Sequence, residues 1–142
     1  MRNSKVISLV SRIRRAANTY LEQQLKELGL FDLVPSHGDI LVTLYHRQEI
    51  SMLELSKAID RTKATTTVLV DKLEKQGLVT REKSATDHRI IMVHLTDKGK
   101  SFEKQFNEIG AELNQLVLKN FTEDEILTVE LLLQKIITNL EH

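Results

Sequence analysis

The apolar residues change their period twice between residues 51 and 100, and nothing else in the chain constrains the fold as strongly. Up to Gly77 they recur at three- and four-residue steps. Across LVTREK (78–83) and RIIMVHL (89–95), β-branched and polar residues alternate, and after Thr96 the helical step returns. A period near 3.6 belongs to a helix and a period of 2 to a strand, so a two-stranded hairpin must be inserted between helices. Residues 84–88, Ser-Ala-Thr-Asp-His, form its long tip.

The helices around the hairpin follow from periodicity and caps. Val6, Leu9, Val10, Ile13, Ala17, Leu21, Leu25 and Leu28 make one amphipathic helix over 4–28 that ends at Gly29. Pro35 followed by Ser36 and Asp39 predicts a capped helix over 36–47, and Ser51 with Glu54 a capping box for a short helix that stops near Ile59. Thr62 caps the next helix, which ends at Gly77. Thr96 begins another, with Phe102, Phe106, Ile109, Leu113, Leu116 and Val117 on one side. Thr122 with Glu125 caps the last, lined by Ile126, Val129, Leu132, Leu133, Ile136, Ile137 and Leu140. The fold class is mainly α (α+β). A short helix, a tight turn, a second helix and a hairpin is the winged helix-turn-helix order. That module also serves as a protein-interaction surface without DNA, so architecture alone does not assign the function.

The helix opening TKATTTVLV carries three consecutive β-branched threonines, each a poorer helix former than alanine. A 100° advance per residue puts Thr66, Leu69, Val70 and Leu73 on the core stripe. Ala64, Thr67, Val68, Asp71 and Lys75 lie opposite, with Lys63 and Thr65 on the flanks. Small side chains at the start of such a helix let its backbone approach a groove, and its unpaired N–H groups favour a phosphate. Threonine hydroxyls bond base edges or phosphate, while their methyls and that of Val68 suit thymine methyl groups. At the hairpin tip, Lys83, Ser84, Thr86, His88 and Arg89 cluster with a single acid, Asp87. Two residues before Arg89, that aspartate is placed to hold the guanidinium ready for a narrow minor groove.

Net charge is zero, but it is sorted along the chain. Residues 1–20 hold five basic side chains and no acid, residues 57–90 eight basic and five acidic, and residues 101–142 three basic and eight acidic. No cysteine is present, which excludes disulfides, thiolate metal sites and thiol-based redox sensing. Apolar runs fall far short of a membrane span, and the N-terminal stretch scatters its basic residues through the apolar ones, unlike a signal peptide. A cytoplasmic protein without a membrane partner is expected. His37, His46, His88, His94 and His142 lack ligand spacing, so neither metal nor cofactor is expected. No activated nucleophile, paired carboxylate site or glycine-rich phosphate loop is visible, which argues against an enzyme.

The stretch LSKAIDRTKATTTVLVDKLEKQGLVTREKSATDHRIIMVHLTDKGK (55–100) resembles the MarR family of bacterial transcription regulators, including that family's wing signature, here Asp87-x-Arg89 followed by Leu95-Thr96 and Gly99. The order of flanking helices agrees over almost the whole chain. The resemblance implies a sequence-specific, ligand-responsive regulator, more often a repressor, that binds double-stranded DNA as a homodimer. Residues 1–34 and 101–142 would supply the dimerisation helices, and 35–100 the DNA-binding lobe, within one continuous structural unit. Thr62, Lys63, Thr65, Thr67 and Val68 would be recognition-helix contacts on a palindromic operator, with Asp87 and Arg89 as wing contacts. A small-molecule effector would occupy a crevice between lobe and dimer helices, toward which Tyr20, His37 and Tyr45 are candidates. Many members carry a basic residue where this chain has Val68, which implies a missing contact and an unusual operator preference.

Overall fold

Each change of period becomes a change of element in the computed structural model, which describes residues 3–142. The order is α1 (Val6–Glu27), α2 (Pro35–Arg47), β1 (Glu49–Ser51), α3 (Met52–Ala58), α4 (Lys63–Lys75), β2 (Val79–Lys83), β3 (Ile91–Leu95), α5 (Asp97–Lys100), α6 (Glu103–Val117) and α7 (Glu123–Leu140). The chain divides into two compact units, one ending at Ile109 and one spanning Gly110–His142.

In the first unit the core is built from α2, α3, α4 and a three-stranded antiparallel sheet of order β1-β3-β2. Ile40, Leu41, Leu44, Ile50, Leu55, Val70, Leu73, Leu78, Val79 and Val93 are all at most 1% exposed, and Leu25 of α1 joins them. Removing such side chains from water is the main driving force for the fold, about 1.5–3 kcal/mol for each large aliphatic group. Val79 pairs with Leu95 and Lys83 with Ile91, so the hairpin projects from the core as a wing. The sequence reading missed β1, because three residues are too few to display a period. Ile50 is its buried residue and pairs with Val93.

Three local expectations are corrected. Helix α2 begins one residue before the expected Ser36: Pro35 takes the first helical position, where its fixed φ suits the helix and its missing N–H costs nothing. The N–H of Val34 is satisfied by Nδ1 of His37 at 2.9 Å, a role anticipated for the Ser36 and Asp39 pair. At α3, Ser51 accepts the Glu54 N–H at 3.1 Å, but the reciprocal half of the box is replaced: the Glu54 carboxylate pairs with Arg47 at 2.8 Å. A cation one helix away outcompetes a backbone N–H for that carboxylate.

The helix expected after Thr96 is broken into α5 and α6. Thr96 caps α5 by accepting the Gly99 N–H at 3.0 Å, and its hydroxyl donates to the Gly77 carbonyl. Gly99 lies so close to the Leu78 carbonyl that a Cβ there would collide with it. The Gly99 carbonyl accepts the Tyr45 hydroxyl at 2.8 Å. Tertiary contacts thus claim the groups a continuous helix would use, and the ladder restarts at Glu103.

In the second unit, α7 opens with the full capping box: Glu125 N–H to Thr122 Oγ1 at 3.1 Å and Thr122 N–H to Glu125 Oε1 at 2.9 Å. None of its residues is buried, although Leu127, Val129, Leu131, Leu132, Leu133, Ile137 and Leu140 are apolar.

Candidate nucleic-acid interface

Thr62 stands in extended backbone conformation at the head of α4, and its Oγ1 accepts the Thr65 N–H at 3.1 Å. The Thr66 N–H already reaches the Thr62 carbonyl, so the N–H groups of Lys63 and Ala64 are the ones left for an external acceptor at the positive end of the helix. Two turns of core packing fix this end. Thr66, Leu69, Val70 and Leu73 are buried, as the helical stripe requires, and Lys63, Thr65, Thr67 and Val68 point outward. Val68 is 67% exposed, a large apolar group with no core to serve.

The three threonines are used differently. Thr66 donates its hydroxyl to the Thr62 carbonyl at 2.8 Å, which makes a buried hydroxyl tolerable, and Thr67 donates to the Lys63 carbonyl at 2.9 Å. Thr65 accepts from the Thr62 hydroxyl at 3.1 Å and keeps its own hydroxyl hydrogen. Toward a ligand, Thr65 is therefore a donor suited to phosphate. Thr67 as it stands offers lone pairs and a methyl, which suit a base edge.

The wing tip is ordered by short-range bonds. The Ser84 N–H meets the Ile90 carbonyl at 2.8 Å, and the Ser84 and Thr86 hydroxyls lie 3.1 Å apart. Asp87 Oδ1 accepts both the Arg89 backbone N–H at 3.0 Å and Nε at 3.1 Å, while Oδ2 accepts Nη2 at 3.2 Å. This is the two-pronged pair anticipated from the spacing. The Arg89 side chain is nonetheless 91% exposed, so the pair fixes its direction without covering it. The guanidinium holds the Asp87 carboxyl below the usual carboxylate range. Lys83 and His88 are exposed on the same tip. The structure thus places Thr62, Lys63, Thr65, Thr67 and Val68 on one helix end, and Lys83, Ser84, Thr86, Asp87, His88 and Arg89 on one hairpin. Thr67 and Arg89 line a common cleft of about 450 Å³ between them.

Sequence reasoning missed a bridge between these two elements. Arg81 on β2 sends Nη2 to Asp71 Oδ1 at 2.6 Å and to Glu74 Oε1 at 3.0 Å, and its backbone N–H donates to Glu74 Oε2 at 3.1 Å. These bonds hold the Glu74 carboxyl below its usual range and raise Arg81. Asp71 and Glu74 share a face of α4 at i, i+3, which is legible; that β2 returns beside them is not. His94 of β3 similarly lies 2.8 Å from Glu82 on β2 and 3.4 Å from Glu49 on β1, linking all three strands.

The three effector candidates differ in burial and surroundings. His37 is buried, and burial, with Lys72 as a secondary cause, keeps its imidazole below the usual range. Tyr45 packs its ring against Phe106, centroids 5.9 Å apart, and burial raises its hydroxyl well above the usual range. It lines a cleft of about 730 Å³ with Gln48, His94, Lys100 and Glu103, whose walls include neither Tyr20 nor His37. Tyr20 is half-buried on α1. Among the described residues no helix is long and apolar enough to cross a membrane.

Residues 33–91 match the model of the MarR family. The multiple antibiotic resistance protein MarR of Salmonella typhimurium is 30% identical over 111 residues, covering 78% of this chain and 77% of that protein. A MarR protein from Peptoclostridium difficile superposes with a TM-score of 0.87 at 28% identity, over 99% of this chain and 90% of that one. A mutant Escherichia coli MarR complexed with operator DNA superposes with a TM-score of 0.80 at 28% identity, over 91% of each chain. Sequence and winged helix-turn-helix fold agree across both the lobe and its flanking helices: the chain belongs to the MarR family.

Proposed function

We infer that this MarR-family transcriptional regulator binds a palindromic operator as a homodimer, acts as a repressor and leaves its operator when a small molecule is bound. The observation that carries the DNA reading is the pairing of two outward-facing devices in one unit. One is a helix end with unpaired N–H groups and the exposed side chains Lys63, Thr65, Thr67 and Val68. The other is a wing whose Arg89 is held in place by Asp87 yet almost fully exposed. A helix of that kind fits a major groove, and a directed arginine fits the narrow minor groove beside it. The operator complex of the E. coli relative supports the same assignment.

Dimerisation is supported by apolar surface that the chain leaves uncovered. Val6, Ile7, Leu9, Val10 and Ile13 on α1 and the apolar residues of α7 are exposed. Exposed apolar surface of this extent on a helix marks an association site. Residues 1–34 and 101–142 are accordingly assigned to the dimer and 35–100 to DNA. A twofold pair would set two α4 helices about 34 Å apart, one turn of duplex. For release, the effector must prefer one arrangement of the two lobes, since equal affinity shifts nothing. The cleft beside Tyr45 has the volume for a small organic ligand.

The test is binding of the purified protein to duplexes selected from its own genome, measured as salt rises. Affinity should fall steeply, because each neutralised phosphate releases counterions. Arg89→Ala should lower affinity about tenfold and reduce the slope by about one. Wild-type binding that is weak and independent of sequence would refute the reading.

A further inference from the structure

We propose that Arg81 serves DNA recognition by halving the negative charge of Asp71 and Glu74 on the recognition helix, without touching DNA itself. The inference rests on the DNA reading above. Asp71 lies one turn beyond Thr67 on the outward face of α4, and Glu74 follows three residues later. Both carboxylates are partly exposed, at 45% and 39% of their side chains. Left unpaired, they would present two negative charges to phosphates on the helix meant to enter the groove, and like charges brought together across an interface penalise binding. A guanidinium is the side chain fitted to bind both and lower their joint charge from two to one, because it is always ionised and carries several donors. Arg81 turns one end of its guanidinium inward: Nη2 meets both acids, the backbone N–H holds the second oxygen of Glu74, and its side chain is only 26% exposed. Arg89, by contrast, is 91% exposed. Two arginines of one hairpin thus have opposite duties, one masking charge and one presenting it. Partly exposed ion pairs contribute little to folding, so the consequence is read in binding more than in melting.

The experiment uses the full chain and a duplex selected by the wild-type protein, titrated across a salt series. Arg81→Ala should weaken binding about tenfold or more. Adding Asp71→Asn and Glu74→Gln to Arg81→Ala should recover most of that loss, with the wild-type salt slope. Asp71→Asn with Glu74→Gln, leaving Arg81 in place, should bind at least as tightly as wild type. Arg81→Lys should fall between wild type and Arg81→Ala, because it keeps the charge and loses the fork. A slope lower by about one that the triple variant does not restore would identify Arg81 as a phosphate contact and overturn the proposal. So would an Arg81→Ala variant that binds like wild type, or a double variant as weak as Arg81→Ala. Failure of the wild-type protein to show salt-dependent duplex binding would remove the DNA reading itself, an outcome separate from these.

Discussion

At the scale of single residues, burial decides what a polar side chain is used for. His37 was a candidate effector contact from its place in the sequence, yet in the fold its Nδ1 accepts the Val34 N–H and so must be unprotonated. Desolvation holds the folded imidazole below its ordinary range, so the unfolded chain binds a proton at a higher pH than the folded one. The neutral cap therefore contributes its full stability above the usual imidazole range, and loses it as pH falls through that range toward the folded value. Thermal melts from pH 8 to pH 5 should show a loss of stability that His37→Gln, an acceptor without this titration, reduces. An identical pH profile in the two proteins would refute the assignment. The threonine run of α4 yields to the same reasoning. Thr66 must be small, β-branched and able to satisfy its own hydroxyl inside the core, whereas Thr62 and Thr65 are paid out in capping and Thr67 in back-bonding to Lys63.

At the scale of elements, the termini were the most legible parts and the breaks the least. Caps at Ser51, Thr62 and Thr122 act over three residues, so the sequence pattern sufficed to find them. Thr62→Ala should lower stability by about 1 kcal/mol in denaturant unfolding. It should also weaken duplex binding more than that loss accounts for, because the same cap orders the helix end. The α5–α6 break depends on residues 21 and 54 positions away from Gly99, Leu78 and Tyr45, and no local period records them. Gly99→Ala should destabilise by about 1–3 kcal/mol, since the added methyl meets a backbone carbonyl that cannot rotate away. A melting temperature equal to wild type would show that the contact relaxes. The wing's Asp87–Arg89 pair is the opposite case: its partners are two residues apart, and their spacing alone predicted the geometry.

At the scale of the molecule, exposed apolar surface points to association. The apolar faces of α1 and α7 are exposed in the single chain, and covering them with a second copy accounts for both. Ile13→Asp with Leu133→Asp should shift the protein to monomer in sedimentation and lower its melting temperature. In the wild type, the melting temperature should rise with protein concentration. A wild-type protein that sediments as a monomer at micromolar concentration would remove the dimer and, with it, the two-helix docking on a palindrome.

Legible in consecutive residues are the features carried by short-range interactions: most helix spans, three N-caps, the hairpin, the buried stripe of α4 and the clasp on Arg89. Periodicity and capping are local physics, so they are written in consecutive residues. Long-range packing alone settles that β1 joins the sheet, that His37 is a cap, that Glu54 turns to Arg47 and that Arg81 binds two acids of another element. Each of these depends on which distant groups the folded chain brings within hydrogen-bond reach, and a charge or hydroxyl takes the strongest partner available there, whatever the sequence separation.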